Sequence, residues 1–225
     1  MILAAGRGAR MRPLTDHTPK PLLRIAGTPL IVKLIHALRD AGIRELIVNL
    51  GYRGEQIRAT LGDGREFSVS IDYSIEPPDA LETGGGILNA LPLLGDSPFA
   101  VVNADIWTDY PFDRLPSAPD GVAHLVLVDN PPHHPDGDFS LVGKRVGSAP
   151  IRRLTYGGIA VLRPELLADS NPGRFPLAPL LRRSALAGRV TGEHFDGGWF
   201  DIGTPERLAA LRALHESSPE NSRNM

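Results

Sequence analysis

Two hydrophobic periods take turns along the first hundred residues. Short continuous apolar runs at residues 1–5, Glu45–Leu50 (ELIVNL) and Phe99–Asn103 have the length and turn-bounded edges of buried strands. A fourth run, 68–74, places Val69, Ile71 and Tyr73 on one side, as a half-exposed strand does. Between them lie segments of helical spacing. Leu30, Ile31, Leu34, Ile35 and Leu38 recur on one face until Gly42, and further helices are predicted over 55–61 and, opened by glycines, over 83–94. Thr28 as N-cap and Pro29 at the first helical position predict where the first helix begins. Strand and helix in regular alternation call for an α/β fold of Rossmann-like type, with a mostly parallel central sheet and helices on both faces. Ligands of such sheets bind beyond the carboxyl ends of the strands. The loops after Ala5, Ser74 and Val102 therefore draw attention, and they are also the oddest in composition.

The second half follows a different rhythm. Strands are predicted over 124–128, 141–146, 154–162 and 189–194, with a Gly/Ser/Pro turn between the second and third, and helices over 179–186 and 205–214. Residues 217–225 are polar and read as a frayed tail. With neither an internal repeat nor a linker, residues 1–225 read as one domain.

Charge narrows the partners. Lys and Arg total 24 against 26 Asp and Glu, so a nucleic-acid coat, which needs a broad positive face, is excluded. The distribution is uneven: residues 1–24 hold Arg7, Arg10, Arg12, Lys20 and Arg24 against Asp16 alone. A local charge of +4 on a loop-rich segment suits a small polyanion such as a nucleoside triphosphate. Absence of cysteine removes disulfides, thiolate metal sites and a Cys nucleophile. No apolar run approaches the roughly 18 residues of a membrane span, and the first residues lack the basic start of a secretory leader, so a cytoplasmic location is expected.

Four motifs carry chemistry. In Leu3–Thr15 (LAAGRGARMRPLT), followed by Pro19-Lys20-Pro21-Leu22, Gly6 and Gly8 let backbone N–H groups approach a phosphate, and Arg12 and Lys20 supply fixed cations. The string fits neither the dinucleotide fingerprint nor the P-loop, since a third glycine and a Gly-Lys-Ser/Thr ending are both missing. Leu81–Ile87 (LETGGGI) opens a helix with three glycines, on which a flat ring could lie against backbone donors. Asp105 follows a buried strand in Asn103-Ala104-Asp105-Ile106 and is well placed to hold Mg²⁺, which takes few protein oxygens and prefers phosphate and water for the rest. Asp201, in WFDIGTP, ends another apolar strand. Adjacent His133 and His134 should diverge and have no evident third ligand, so a metal is not expected on them. Trp199 reads as a packing residue.

Taken whole, the first string resembles the signature of the sugar-1-phosphate nucleotidyltransferases, and the likeness extends over nearly the whole chain. The resemblance implies that Ala4, Ala5, Gly6, Gly8, Ala9, Arg10, Met11, Arg12 and Lys20 grip the triphosphate and that Glu82, Gly84 and Gly85 read the nucleobase. It implies Arg12, Lys20 and Asp105 as the catalytic set and Asp105 with Asp201 as holders of the catalytic Mg²⁺. Asn103, Asp138, Tyr156 and Gly158 are implied as sugar contacts, making 1–103 the nucleotide half and 104–216 the sugar half. Within the family, LETGGGI, NADIWTDY, HLVLVDNPPHHPDGDF and WFDIGTPERL look like the branch that joins UTP to N-acetylmuramate α-1-phosphate in cell-wall sugar recycling. Guanylyl transfer to mannose-1-phosphate, and thymidylyl or uridylyl transfer to glucose-1-phosphate, stay open alternatives, because base choice rests on backbone hydrogen bonds in loops 4–6 and 82–86. A nucleotide-sensing relative without activity is disfavoured, since Asp105, Asp201, Arg12 and Lys20 are all kept. Neither a nucleic-acid nor a membrane partner is implied, and no oligomeric state follows.

Overall fold

The computed structural model describes residues 1–77, 80–149 and 152–217. Strand β1 (Ile2–Leu3) leads into 3-10 turns at Ala9–Met11, Leu14–Asp16 and Lys20–Leu22. A hairpin, β2 (Arg24–Ile25) with β3 (Thr28–Pro29), precedes helix α1 (Leu30–Asp40). Then come β4 (Glu45–Leu50), α2 (Gly54–Leu61), β5 (Ser70–Ile75), α3 (Glu82–Leu94), β6 (Phe99–Asn103) and β7 (Ile106–Thr108). The second half holds β8 (Ala123–Val128), β9 (Phe139–Val142), β10 (Arg145–Gly147), β11 (Arg153–Leu162), α4 (Ala178–Leu186), β12 (Val190–Phe195), β13 (Trp199–Asp201) and α5 (Pro205–Ser217).

One nine-stranded sheet runs in the order β5-β4-β1-β6-β11-β8-β12-β10-β9. The half built from residues 1–103 is parallel throughout, as its strand–helix alternation requires. Beyond it the sheet is mixed: β11 runs antiparallel to both β6 and β8, β12 is parallel to β8, and β9 and β10 form an antiparallel hairpin. Helices cover both faces. On one, Ile31, Ile35 and Leu38 of α1 and Ile57 of α2 pack on Ile2, Leu46 and Val48. On the other, Ile87 of α3 and Leu181 of α4 pack on Val101, Leu125, Leu127 and Leu162. Burial on both sides explains why β4 and β6 read as unbroken apolar runs.

Helix α1 ends as its sequence predicts. Gly42 takes φ +86, its N–H donates to Arg39 O at 2.9 Å and Ile43 N–H donates to Leu38 O at 2.9 Å, a Schellman closure. Its start differs from expectation. Thr28 makes no cap bond; it pairs with Ile25 across a turn in which Ala26 and Gly27 both have positive φ, and Pro29 stands at the N-cap. Residues 141–146 are likewise not one strand, because Gly143 turns the chain and Val142 pairs with Arg145. Part of the turn expected before β11 lies at 150–151, outside the described residues, as does most of the polar tail, 218–225. Among the described residues no helix is long and apolar enough to cross a membrane.

A third apolar cluster positions the site. Met11, Leu23, Ile25 and Leu30 close on Ile202, Leu208 and Leu211, tying the glycine loop to β13 and α5 from the far end of the chain.

Candidate active site

Beyond the carboxyl ends of β1, β4 and β6 lie two adjoining cavities of about 350 and 400 Å³. Arg10, Asn103 and Asp105 border both. The first is walled by Ala4, Ala5, Gly6, Gly8, Ala9 and Lys20 from the glycine loop and by Glu82 from α3. The second is walled by His133, His134, Tyr156, Gly158, Trp199 and Asp201. Two sequence-distant sets of predicted residues thus meet, with Asp105 on the seam.

The loop is held from beneath. Gly8 takes φ +62, where a side chain is strained, and Thr15 Oγ1 donates to its carbonyl at 2.9 Å. Gly51 sits so close that a Cβ there would stand 2.6 Å from Ala5 O. Tyr52 N–H donates to that same oxygen at 3.1 Å, and its hydroxyl donates to Thr15 O at 3.0 Å. Met11 is fully buried in the third cluster, so its side chain anchors the loop and does not reach the cavity.

The cations divide between the cavities and the surface. Arg12 borders neither cavity; it is largely exposed and bonded to Asp16 Oδ1 at 2.6 Å, a pairing that raises the guanidinium's pKa and lowers the carboxyl's. Arg10, two residues earlier, is the arginine that faces both cavities. Lys20 stands where the motif placed it, 7% exposed, with Nζ 2.5 Å from Asp105 Oδ2. A lysine so buried is neutralised by its carboxylate partner through Oδ2.

The three glycines of LETGGGI serve packing more than ligand approach. Gly84 and Gly85 N–H groups both donate to Phe175 O at 3.0 Å, and a Cβ at Gly85 would stand 2.1 Å from Gly173 O. Those donors are therefore taken by the 173–175 loop, and neither glycine lines a cavity. Glu82 does line the first cavity, held at φ +61 with its carboxylate on Arg174 Nε at 2.8 Å. Gly86 makes room for two residues the motif reading missed. Glu76 and Asn49 are buried at the ends of β5 and β4, where Asn49 Nδ2 donates to Glu76 Oε1 at 2.6 Å. Asn49 Oδ1 accepts from Ala4 N–H at 2.6 Å and Glu76 Oε2 from Leu81 N–H at 3.0 Å. This network joins the glycine loop to the start of α3. A lone Glu before Pro77 and an Asn inside ELIVNL were its only traces in the sequence.

Asp105 and Asp201 converge through backbone pairing. Strands β7 and β13 pair antiparallel with Asp201 opposite Ile106, and Ile202 N–H donates to Asp105 O at 3.0 Å. Both carboxylates face the second cavity and each already meets a cation, Lys20 for Asp105 and Arg207 for Asp201. Among the described residues no cluster of three or more metal-ligating side chains occurs. Two carboxylates facing one cavity fit Mg²⁺, which takes few protein oxygens and fills the rest of its shell from water or phosphate.

On the second cavity's far wall, β11 bulges between Tyr156 and Ile159, and Gly158 takes φ +74. A Cβ at Gly158 would stand 2.8 Å from Asn103 Nδ2, so the glycine lets Asn103 lie along the wall. Asp138 does not line the cavity; it accepts from Tyr156 N–H at 2.9 Å and pairs with His134 Nε2 at 3.2 Å. These bonds tie it to two residues that line the wall. Burial, with Asp138 adding to it, pushes the Tyr156 phenol well above its ordinary pKa, keeping it a neutral hydroxyl. The two histidines do diverge, His133 towards Asp201 and His134 towards Asp138. Trp199 packs on the core while its indole N–H donates to Gly157 O at 2.8 Å.

A cradle of this kind above a parallel half-sheet is what a nucleotidyl transferase needs, and the chain belongs to the nucleotidyl transferase family, whose model matches residues 1–142. Its likeness to one sort of family member is close. It is 48% identical to the N-acetylmuramate alpha-1-phosphate uridylyltransferase of Neisseria meningitidis serogroup B (strain ATCC BAA-335 / MC58), over 95% of this chain and 96% of that one. It is 36% identical to the protein of the same name from Caulobacter vibrioides (strain ATCC 19089 / CIP 103742 / CB 15), over 96% and 97% of the two chains. The fold matches that of HddC from Yersinia pseudotuberculosis complexed with GMP-PN, with a TM-score of 0.79 at 24% identity over 95% and 97% of the two chains.

Proposed function

We propose that this enzyme transfers a uridylyl group from UTP to N-acetylmuramate α-1-phosphate, giving UDP-N-acetylmuramate and pyrophosphate. The observation that carries the reading is the convergence of Asp105 and Asp201 on one cavity beside Lys20 and the glycine loop. The choice of substrates is supported by the two uridylyltransferase relatives, which align along nearly their full lengths.

An oxygen of the sugar phosphate attacks the α-phosphorus of UTP, the bond from that phosphorus to the bridging α–β oxygen breaks, and pyrophosphate leaves with the electron pair. The nucleophile is already anionic, so no strong base is required. The difficulty is the meeting of two polyanions. Lys20 and Arg10 lower that repulsion from the cavity side, and the backbone of Gly6 to Ala9 offers N–H groups to the phosphates. Arg12, turned outward on Asp16, would have to leave that pair to take part. Asp105 and Asp201 would hold Mg²⁺, which when bound supplies charge neutralisation at the phosphates. Glu82 and the backbone of 4–6 would meet the base, and Asn103, Tyr156 and Gly158 the sugar. This reading treats residues 1–225 as one catalytic domain, nucleotide on the 1–103 side and sugar on the 104–216 side, and puts the reaction in the cytoplasm as a step of peptidoglycan sugar recycling.

The test is pyrophosphate release from UTP, dTTP, GTP, CTP and ATP, each with the 1-phosphates of N-acetylmuramate, N-acetylglucosamine, glucose and mannose, with and without Mg²⁺. UTP with the N-acetylmuramate ester should lead; equal or better turnover of GTP with mannose-1-phosphate refutes the substrate assignment. Asp105→Asn should lower turnover roughly a hundredfold or more with the circular dichroism spectrum unchanged. An active Asp105→Asn enzyme refutes the metal assignment.

A further inference from the structure

Beside Asp201 stands a cation to which the reaction above gives no part. Arg207 lies in the first turn of α5, and its Nη1 contacts Asp201 Oδ2 while standing 2.8 Å from His133 Nε2. The same nitrogen is 3.4 Å from Asp201 O. Gly203 leaves room for this approach, since a Cβ there would meet guanidinium atoms at 2.8 to 3.1 Å. The helix beneath is rigidly seated, with Leu208 and Leu211 fully buried in the third apolar cluster. His133 Nε2 also stands 3.3 Å from Asp201 Oδ2, so the three side chains form one cluster. His133 belongs to the 130–138 loop and borders the second cavity. One guanidinium nitrogen thus joins the helix α5, the carboxylate ending β13 and the wall of the sugar side.

We propose that Arg207 is a positioning residue that competes with the divalent cation for Asp201 and thereby couples cation binding to the sugar side. The proposal rests on the reading of Asp201 as a metal carboxylate. Guanidinium and divalent cation cannot share Oδ2, because like charges at contact repel strongly in a half-buried site. Arg207 neutralises Asp201 and contacts His133 in this structure. Once Asp201 is taken by the divalent cation, the displaced guanidinium is a bidentate donor with no carboxylate, one contact away from the second cavity through His133 and Asp201, which line it. An anionic phosphate ester is the ligand class that suits it. Each event then favours the other, because both draw the guanidinium away from Asp201.

Mn²⁺ alone is the probe, followed as free ion by electron paramagnetic resonance on the full chain, alongside steady-state kinetics. Arg207→Met should bind Mn²⁺ about tenfold tighter than the parent while raising KM for the sugar phosphate. Arg207→Lys keeps the charge but cannot bridge both partners, so it should leave Mn²⁺ affinity within about twofold and raise that KM roughly threefold or more with kcat little changed. Asp201→Asn should lose the site altogether. Mn²⁺ affinity unchanged or weaker in Arg207→Met overturns the competition, and an unchanged KM in Arg207→Lys overturns the coupling. Parental Mn²⁺ binding in Asp201→Asn overturns the metal reading and this proposal together, which separates the two failures. Should Arg207→Met not fold, Gly203→Ala substitutes for it: the added Cβ pushes the guanidinium off Asp201, and Mn²⁺ binding no tighter than in the parent is equally fatal.

Discussion

Replacing Asn49 by alanine attacks the buried network at the floor of the nucleotide cavity. Asn49 is 3% exposed and makes two short bonds, accepting from Ala4 N–H and donating to Glu76 Oε1, each at 2.6 Å. The truncation strands the buried Ala4 N–H, at about 1–3 kcal/mol, and takes one donor from the buried Glu76 carboxylate, at about 1.5–3 kcal/mol. Glu76 keeps its bond from Leu81 N–H, which offsets part of the second loss, so the sum comes to about 2–5 kcal/mol. In a chain of this length that corresponds to a fall in Tm of roughly 10 °C. Urea unfolding monitored by circular dichroism measures it, with Asn89→Ala as the control. Asn89 makes its bonds near the surface, to Ser74 Oγ and Ile75 O, and its loss should cost less than about 1 kcal/mol. Because Ala4 lines the cavity, KM for the nucleotide should rise as well. If Asn49→Ala is no more destabilising than Asn89→Ala, the network does not hold the loop and the reasoning fails.

Two further outcomes follow from other parts of the structure. Gly51→Ala drives a Cβ to 2.6 Å from Ala5 O, a backbone atom that cannot swing aside, so the glycine loop should shift, stability should fall by about 1–3 kcal/mol and nucleotide KM should rise; an unaltered KM refutes the role of Gly51 as a spacer. Burial holds His124 below its ordinary pKa of 6.5, so below that pH the unfolded chain binds the proton first and stability is lost as pH falls; Tm measured from pH 7.5 to 5 should drop less in His124→Gln, and parallel profiles refute the assignment.

How much of this was legible beforehand depended on the range of the interaction. Strands β4 and β6 could be bounded to the residue, since a run buried on both faces ends sharply at Gly51 or is set off by a polar turn. Asp105 and Lys20 were legible because their motif fixes their chemistry, although nothing in either segment shows that they touch across 85 positions. Thr28 misled because the local cap signal competes with a hairpin whose Ala26 adopts a positive φ that alanine rarely takes. Which of two arginines on one short turn faces the cavities was not legible, since Arg10 and Arg12 differ only in direction, and Met11 between them is buried. Asn49 with Glu76, and Arg207 with Asp201, escaped notice for a plainer reason. Each pair is a contact between elements, and only the second sits inside a recognisable string.

The place of β11 bears on how the protein is made. This strand, Arg153–Leu162, is inserted between β6 and β8, so the nucleotide half finishes its sheet with a segment that leaves the ribosome some fifty residues later. Until then Phe99–Asn103 is paired with β1 on one side only, and its other edge is an open apolar margin, the sort of surface on which nascent chains associate with one another. Synthesis past Leu162 is therefore the commitment point of this fold, and a fragment ending at residue 142, however complete its phosphate loop, would need a chaperone or a partner strand to stay in solution.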